Sequence, residues 1–104
     1  MKAVRYHECG EAGVLRWEDS PDPVPADDEV LIKVEAAGVN YADLMRRSGG
    51  YHFKTEFPAM LGTEAAGVVL ERGGDVTKFA IGDRVFCRTT IAACQAELVV
   101  APDG

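Results

Sequence analysis

The sequence is poor in the residues that build metal and nucleophile sites. Its 104 residues include two histidines and three cysteines, Cys9, Cys87 and Cys94, and no CxxC pair. A structural zinc site needs four thiolate or imidazole ligands, so we expect no zinc and no other metal. An odd number of unpaired cysteines favours free thiols in a reducing compartment. No GxSxG occurs, and nothing suggests a Ser–His–Asp triad.

Cofactor motifs and targeting segments are also missing. Neither GxGxxG nor GxxxxGK[ST] occurs, so the chain carries no dinucleotide fingerprint and no P-loop of its own. The first residues lack the apolar core of a signal peptide, and no apolar run has the length of a membrane span. The net charge of −6 argues against a nucleic-acid partner. We therefore predict a cytoplasmic domain without a membrane span.

The apolar residues that are present recur mostly with a period of two, which is typical of β-strands. The acidic, proline-containing stretch 18–29 is predicted to be a solvated surface connection. Strand patterns lie near the N-terminus, in 66–71, after a tight turn at Gly82–Asp83, and before Pro102. Five or six short strands and one short helix predict a mainly β domain, a small barrel or sandwich.

The clearest strand is predicted over residues 29–39. Val30, Ile32, Val34 and Ala36 alternate with more polar residues, so we expect them to face the core together. The opposite face carries one leucine, which indicates that this face is only partly solvated.

A polar cluster follows in the stretch GVNYADLMRRSGGY, residues 38–51. Asn40 is a favourable N-cap, and Asp43 stands three residues later, close to a capping-box arrangement. Two glycines then supply the positive φ that ends a helix. The pattern predicts a helix over 41–48, with Tyr41 in the core.

Four segments, in this order, carry a resemblance to a known family: VEAAGVNYADLMRRSGGY, FPAMLGTEAAGVV, GDRVF and AELVVAP. They resemble the start of the medium-chain dehydrogenase/reductase superfamily, and within it the zeta-crystallin-like quinone oxidoreductase branch. The resemblance implies a GroES-like, partly open β-barrel with one short helix. It also implies that residues 1–104 are an incomplete N-terminal segment of the catalytic domain, and that the family's Rossmann domain is absent from this chain.

The same resemblance implies a zinc-free enzyme. Zinc alcohol dehydrogenases carry a ligating cysteine where this chain has Asn40 and a histidine where it has Thr63. In the zinc-free branch NADPH delivers a hydride to a quinone or another conjugated carbonyl, and the enzyme is expected to be a homodimer when full length. The main NADPH site would lie in the missing domain, so the isolated piece is expected to be inactive. An enoyl reductase acting on acyl thioesters and a non-catalytic GroES-like interaction module are the alternatives.

The resemblance assigns four site residues. Asn40 and Tyr51 are predicted to be catalytic, and Asn40, Asp43, Tyr51 and Glu64 to contact the cofactor. Each has a second interpretation: Asn40 and Asp43 cap the helix, and Tyr51 packs under a loop. A buried Glu64 would need a partner, for which Arg46 and Arg47 are the candidates.

Overall fold

The computed structural model describes residues 1–50, 55–90 and 92–103. Within these ranges the elements are seven strands, one α-helix and one 3₁₀ turn. Their bounds are β1 Lys2–Tyr6, the 3₁₀ turn Ala12–Val14, β2 Arg16–Asp19, β3 Glu29–Ala37, α1 Tyr41–Ser48, β4 Ala59–Met60, β5 Glu64–Arg72, β6 Arg84–Arg88 and β7 Leu98–Pro102.

The strands form two antiparallel sheets. The larger has the order β6-β5-β3-β7 and the smaller the order β2-β1-β4. A bridge between Ala3 and Ala96 and a hydrogen bond from the Glu97 amide to the Lys2 carbonyl, 3.0 Å long, join the two sheets. Over the described part of the chain the sheets do not close on each other. The mainly β, partly open architecture predicted from the sequence is confirmed.

The hydrophobic core lies against the larger sheet. Strand β3 buries Val30, Leu31 and Ile32 in succession, which is typical of a strand covered on both faces. Val69 of β5 and Val99 of β7 complete the centre of the cluster, at 0% and 2% exposure. This contiguous apolar cluster supplies the main stabilisation of the domain.

The β3–β5 pairing contains two register shifts, and they correct one prediction. The shifts lie between Leu31 and Ile32 and between Val34 and Ala36. Because a one-residue shift moves a side chain to the other face of the sheet, Ala36 is exposed instead of facing the core. Gly67 lies in the same region, where a Cβ would collide with the carbonyl of Lys33.

The helix α1 spans the predicted residues, but it buries a different face. Gly49 ends it with φ of 90° and donates its amide to the carbonyls of Met45 and Arg46. Tyr41, predicted to lie in the core, is 75% exposed, whereas Asp43 is 1% exposed. The core prediction for Tyr41 is therefore wrong, because the helix packs through its carboxylate side.

Candidate functional site

Asp43 connects α1 to the segment that precedes β5. Its Oδ2 accepts a hydrogen bond from the Asn40 amide at 2.9 Å, which is the reverse half of a capping box. Its Oδ1 accepts a buried hydrogen bond from the Gly62 amide at 3.0 Å. The capping role predicted for Asp43 is confirmed, and the bond to Gly62 adds a tertiary contact that the sequence did not predict.

Gly62 is the residue around which three segments meet. Its φ of 93° lies in the left-handed region, and a Cβ there would press against Gln95. Its carbonyl accepts hydrogen bonds from the amides of Ala93 and Cys94, at 2.9 and 3.0 Å. The Asp43 carboxylate and the residues before β7 therefore hold the chain just upstream of Glu64 from both sides.

The open end of the larger sheet forms a shallow cleft of about 440 Å³. The strand register places Ala36, Ala66 and Phe86 side by side across β3, β5 and β6, with Glu64 opposite Arg88 at the rim. These residues are exposed, and Phe86 is 86% exposed. The cleft therefore has a mainly apolar floor of small side chains beside a pair of opposite charges.

Glu64 lies at this cleft, and its placement corrects one expectation. Its side chain is exposed, so it is not a buried carboxylate that requires Arg46 or Arg47 as a partner. It lies over Gly38, where any Cβ would collide with its carboxylate oxygen. The Gly38 amide also donates to the Glu64 carbonyl at 3.0 Å. The absence of a side chain at position 38 leaves room for the glutamate.

Asn40 occupies the N-cap position that the sequence predicted. Its backbone is extended, with φ of −120° and ψ of 163°, and its side chain is exposed two residues after Gly38. Hydrogen bonds at Gly38 and Gly62 therefore connect the segment that carries Asn40 and Asp43 to the segment that carries Glu64. Tyr51, the fourth predicted site residue, lies outside the described residues.

A pair of thiols lies beneath the cleft floor and was missed at the level of the sequence. Cys94 is fully buried and Cys87 is half-buried. A hydrogen bond from Cys87 lowers the pKa of Cys94 to about 7, with a smaller contribution from Thr89, while burial opposes the shift. The same bond raises the pKa of Cys87. Strand alternation indicates that Cys87 points inward, but no local signal relates it to Cys94.

Two features are absent from the described ranges. No group of three or more His, Cys, Asp or Glu side chains in these ranges is arranged to hold a metal ion. No helix there has both the length and the apolar character needed to cross a membrane.

Comparison with known proteins identifies the domain. Residues 26–101 match the model of the alcohol dehydrogenase GroES-like domain. The chain belongs to this family. It is 41% identical to the quinone oxidoreductase of Mus musculus, covering 99% of this chain and 31% of that protein. It is also 37% identical to the acryloyl-coenzyme A reductase of Sulfurisphaera tokodaii over 86% of this chain and 23% of that protein.

Solved structures agree with this assignment. The quinone oxidoreductase of Coxiella burnetii superposes with a TM-score of 0.94 at 35% identity, covering 98% of this chain and 34% of that one. The quinone oxidoreductase of Escherichia coli complexed with NADPH gives a TM-score of 0.89 at 30% identity, over 96% of this chain and 30% of that one. The resemblance to the quinone oxidoreductase branch is confirmed. This GroES-like chain spans about a third of the length of the relatives it matches.

Proposed function

We propose that residues 1–104 form the N-terminal part of the catalytic domain of an NADPH-dependent quinone oxidoreductase, homodimeric when full length. The observation that carries the proposal is the 41% identity to a quinone oxidoreductase over nearly the whole of this GroES-like chain. NADPH, when bound, supplies the hydride that reduces a quinone or another conjugated carbonyl. No dinucleotide fingerprint lies in this chain, so we place the main cofactor site elsewhere in the protein.

The residues of the cleft fit a planar ring. The floor at Ala36 and Ala66 carries small apolar side chains, so we propose that it contacts the face of a nicotinamide or quinone ring. The exposed Asn40 amide is an uncharged donor for a carbonyl oxygen, on which negative charge develops during hydride transfer. Glu64, opposite Arg88 at the rim, is placed to accept a hydroxyl hydrogen bond from the cofactor.

We assign Asp43 a positioning role. Both of its carboxylate oxygens already accept backbone amides, one from Asn40 and one from Gly62, and the residue is 1% exposed. It fixes the start of α1 against the segment that leads to Glu64. We propose that this keeps the exposed side chains of Asn40 and Glu64 at a fixed separation. Tyr51 remains proposed as a second hydrogen-bond donor.

Variants at Asn40 separate its two roles. Asn40→Ser retains N-cap ability, whereas Asn40→Ala loses it at a cost of about 1 kcal/mol. If the amide stabilises the developing oxyanion, both variants lose about a hundredfold in kcat for NADPH-dependent benzoquinone reduction. The assay uses the protein that continues this chain with its downstream coding sequence. Wild-type kcat in Asn40→Ser, with reduced stability only in Asn40→Ala, would assign Asn40 to capping alone.

Two measurements test the cofactor part of the proposal. Calorimetric titration of the isolated 104-residue chain with NADPH is expected to show no binding in the micromolar range. Micromolar binding would place the cofactor site within residues 1–104. Quinone reduction by the longer protein is expected to be insensitive to a chelator, because the GroES-like segment carries an amide at position 40 in place of a thiolate ligand.

An enoyl thioester reductase is the second candidate function. The relationship to an acryloyl-coenzyme A reductase favours it, and the apolar floor of the cleft accepts an enoyl group as readily as a quinone. The ratio of kcat/KM for benzoquinone to that for acryloyl-coenzyme A decides between the two. A ratio well below one would replace the quinone proposal.

A further inference from the structure

Cys87 and Cys94 are two neighbouring thiols at the boundary between the core and the cleft. Both pack in the same hydrophobic cluster, and each shifts the pKa of the other. Cys87 lines the cleft, whereas Cys94 is fully buried directly behind it. One sulfur can therefore be reached from the cleft, and the other is its internal partner.

The fold brings the two cysteines together through one short piece of backbone. Cys87 pairs with Ala65 across the β5–β6 ladder. The Cys94 amide donates to the carbonyl of Gly62, three residues before Ala65, at 3.0 Å. The backbones of both cysteines are thus anchored by residues 62–65.

The surroundings favour one negative charge shared by the pair. Besides Cys87, the Thr89 hydroxyl approaches Cys94 Sγ, with Oγ1 at 3.6 Å, and supports the thiolate. The Asp43 carboxylate, from α1, opposes it. When a single proton lies between two sulfurs, the charge belongs to the pair and is available at either sulfur. The charge lies mainly on Cys94, and transfer of the Cys87 proton to Cys94 generates the nucleophile at Cys87, on the side that faces the cleft.

We propose that Cys87 and Cys94 form a redox-active dithiol that hydroperoxides convert into an intramolecular disulfide. The third cysteine, Cys9, is exposed and contacts the carbonyl of Arg46, so it lies apart from this pair. The proposal concerns residues that the hydride-transfer function does not use.

The chemistry balances with hydrogen peroxide as the oxidant. The Cys87 thiolate attacks one peroxide oxygen, the O–O bond breaks, and the products are a sulfenic acid on Cys87 and hydroxide. Cys94 then attacks the Cys87 sulfur, forms the S–S bond and expels the second hydroxide. The two thiol protons convert the hydroxides into two waters. The pair is oxidised by two electrons and the peroxide is reduced by two.

The test uses the full chain with Cys9→Ser, so that the pair contributes the remaining thiols. The protein is treated with an equimolar amount of hydrogen peroxide, denatured, alkylated with N-ethylmaleimide and weighed intact. We expect a loss of two hydrogen atoms, no maleimide addition, and recovery of two additions after reduction with dithiothreitol. Two maleimide additions without reduction, a sulfinic acid on Cys87, or disulfides only between molecules would each overturn the proposal.

Matched variants assign the roles of the two sulfurs. With Cys94→Ser the resolving thiol is lost, so we expect dimedone to label a sulfenic acid on Cys87. With Cys87→Ser the accessible thiol is lost, so we expect the remaining thiol to oxidise at least tenfold more slowly. Because Cys94 is fully buried, a melting curve establishes that its variant folds. Equal oxidation rates in both variants would contradict the assigned order.

The pH dependence gives an independent readout. The rate of disulfide formation in the Cys9→Ser chain is expected to increase as the pH rises through about 7, where the pair loses its first proton. A rate that increases only around the ordinary thiol pKa of about 8.5 would mean that the two sulfurs act independently, which the proposal excludes.

Discussion

The four-stranded sheet and the helix α1 are built in opposite ways. The sheet buries Ile32 and Val69, at 1% and 0% exposure, and leaves its charged residues in solvent. The helix buries Asp43 and leaves Tyr41 and Leu44 at 75% and 44% exposure. Apolar area therefore stabilises the sheet, whereas hydrogen bonds that two backbone amides donate to one carboxylate hold the helix.

The largest expected effect tests the sheet half of this comparison. Ile32→Ala removes three buried methyl or methylene groups from the centre of the core and leaves a cavity, so we expect a loss of about 4 kcal/mol in the free energy of unfolding. Chemical denaturation measures the loss. Lys33→Ala, an exposed neighbour on the same strand, should change stability by less than about 0.5 kcal/mol. Equal effects of the two changes would show that β3 does not form the core.

The next effect tests the helix half. Asp43→Ala leaves the buried amide of Gly62 without an acceptor and removes the bond to the Asn40 amide. We expect a loss of about 3 kcal/mol in the free energy of unfolding. Asp43→Asn retains one acceptor oxygen and should lose about half as much.

The control for Asp43→Asn is Asp28→Asn, which makes the same substitution at an exposed aspartate. Little change is expected there, since exposed substitutions away from specific contacts stay within about 0.5 kcal/mol. Hydrogen exchange of the Gly62 amide provides a local readout, because its protection should fall in Asp43→Ala. Unchanged protection would contradict the role given to the carboxylate.

A smaller effect concerns Tyr6, which is buried and packs edge-on against Phe57 with ring centroids 5.8 Å apart. Burial raises the pKa of Tyr6 above its ordinary value of 10.0. The neutral phenol is favoured in the folded state, so its contribution to stability is complete below the unfolded pKa and is lost as the pH rises toward the folded pKa. Wild type should therefore lose stability relative to Tyr6→Phe above about pH 10. Parallel stability curves for the two proteins up to pH 11 would contradict the raised pKa.

The smallest expected effect on stability concerns the exposed apolar side of α1, in contrast to the buried apolar residues of the sheet. Leu44→Gln replaces an exposed apolar side chain on α1 without changing helix propensity greatly, so stability should change by less than about 0.5 kcal/mol. Thermal melting of the 104-residue chain measures it. A loss above 2 kcal/mol would mean that α1 packs through its apolar side after all.

Local sequence signals predicted the bounds of the secondary-structure elements, whereas long-range contacts determine which of their side chains are buried. The N-cap at Asn40 and the glycine at position 49 delimit α1 as the sequence predicted, because capping depends on neighbouring residues alone. The exposure of Tyr41 depends on the bond between Asp43 and Gly62, nineteen residues apart, for which no periodic pattern exists.

The features of the candidate site also divide into those that the sequence predicted and those that required the structure. Asn40 and Glu64 came from ordered motifs; the structure places Glu64 at the open end of the larger sheet and Asn40 at the N-cap of α1. The register shift that exposes Ala36 results from pairing between distant strands, and Cys94 is held near Cys87 by a hydrogen bond from its amide to Gly62, thirty-two residues earlier. A strand's own sequence carries its alternation but not its registry with a partner, so these features required the structure.

The fit of Glu64 over Gly38 has an evolutionary consequence. Any side chain at position 38 displaces the glutamate, so a mutation to alanine there moves the Glu64 carboxylate from its place at the cleft. The two positions are therefore expected to covary among descendants of the same ancestor, and many lineages combining a bulky residue at 38 with glutamate at 64 would refute this coupling.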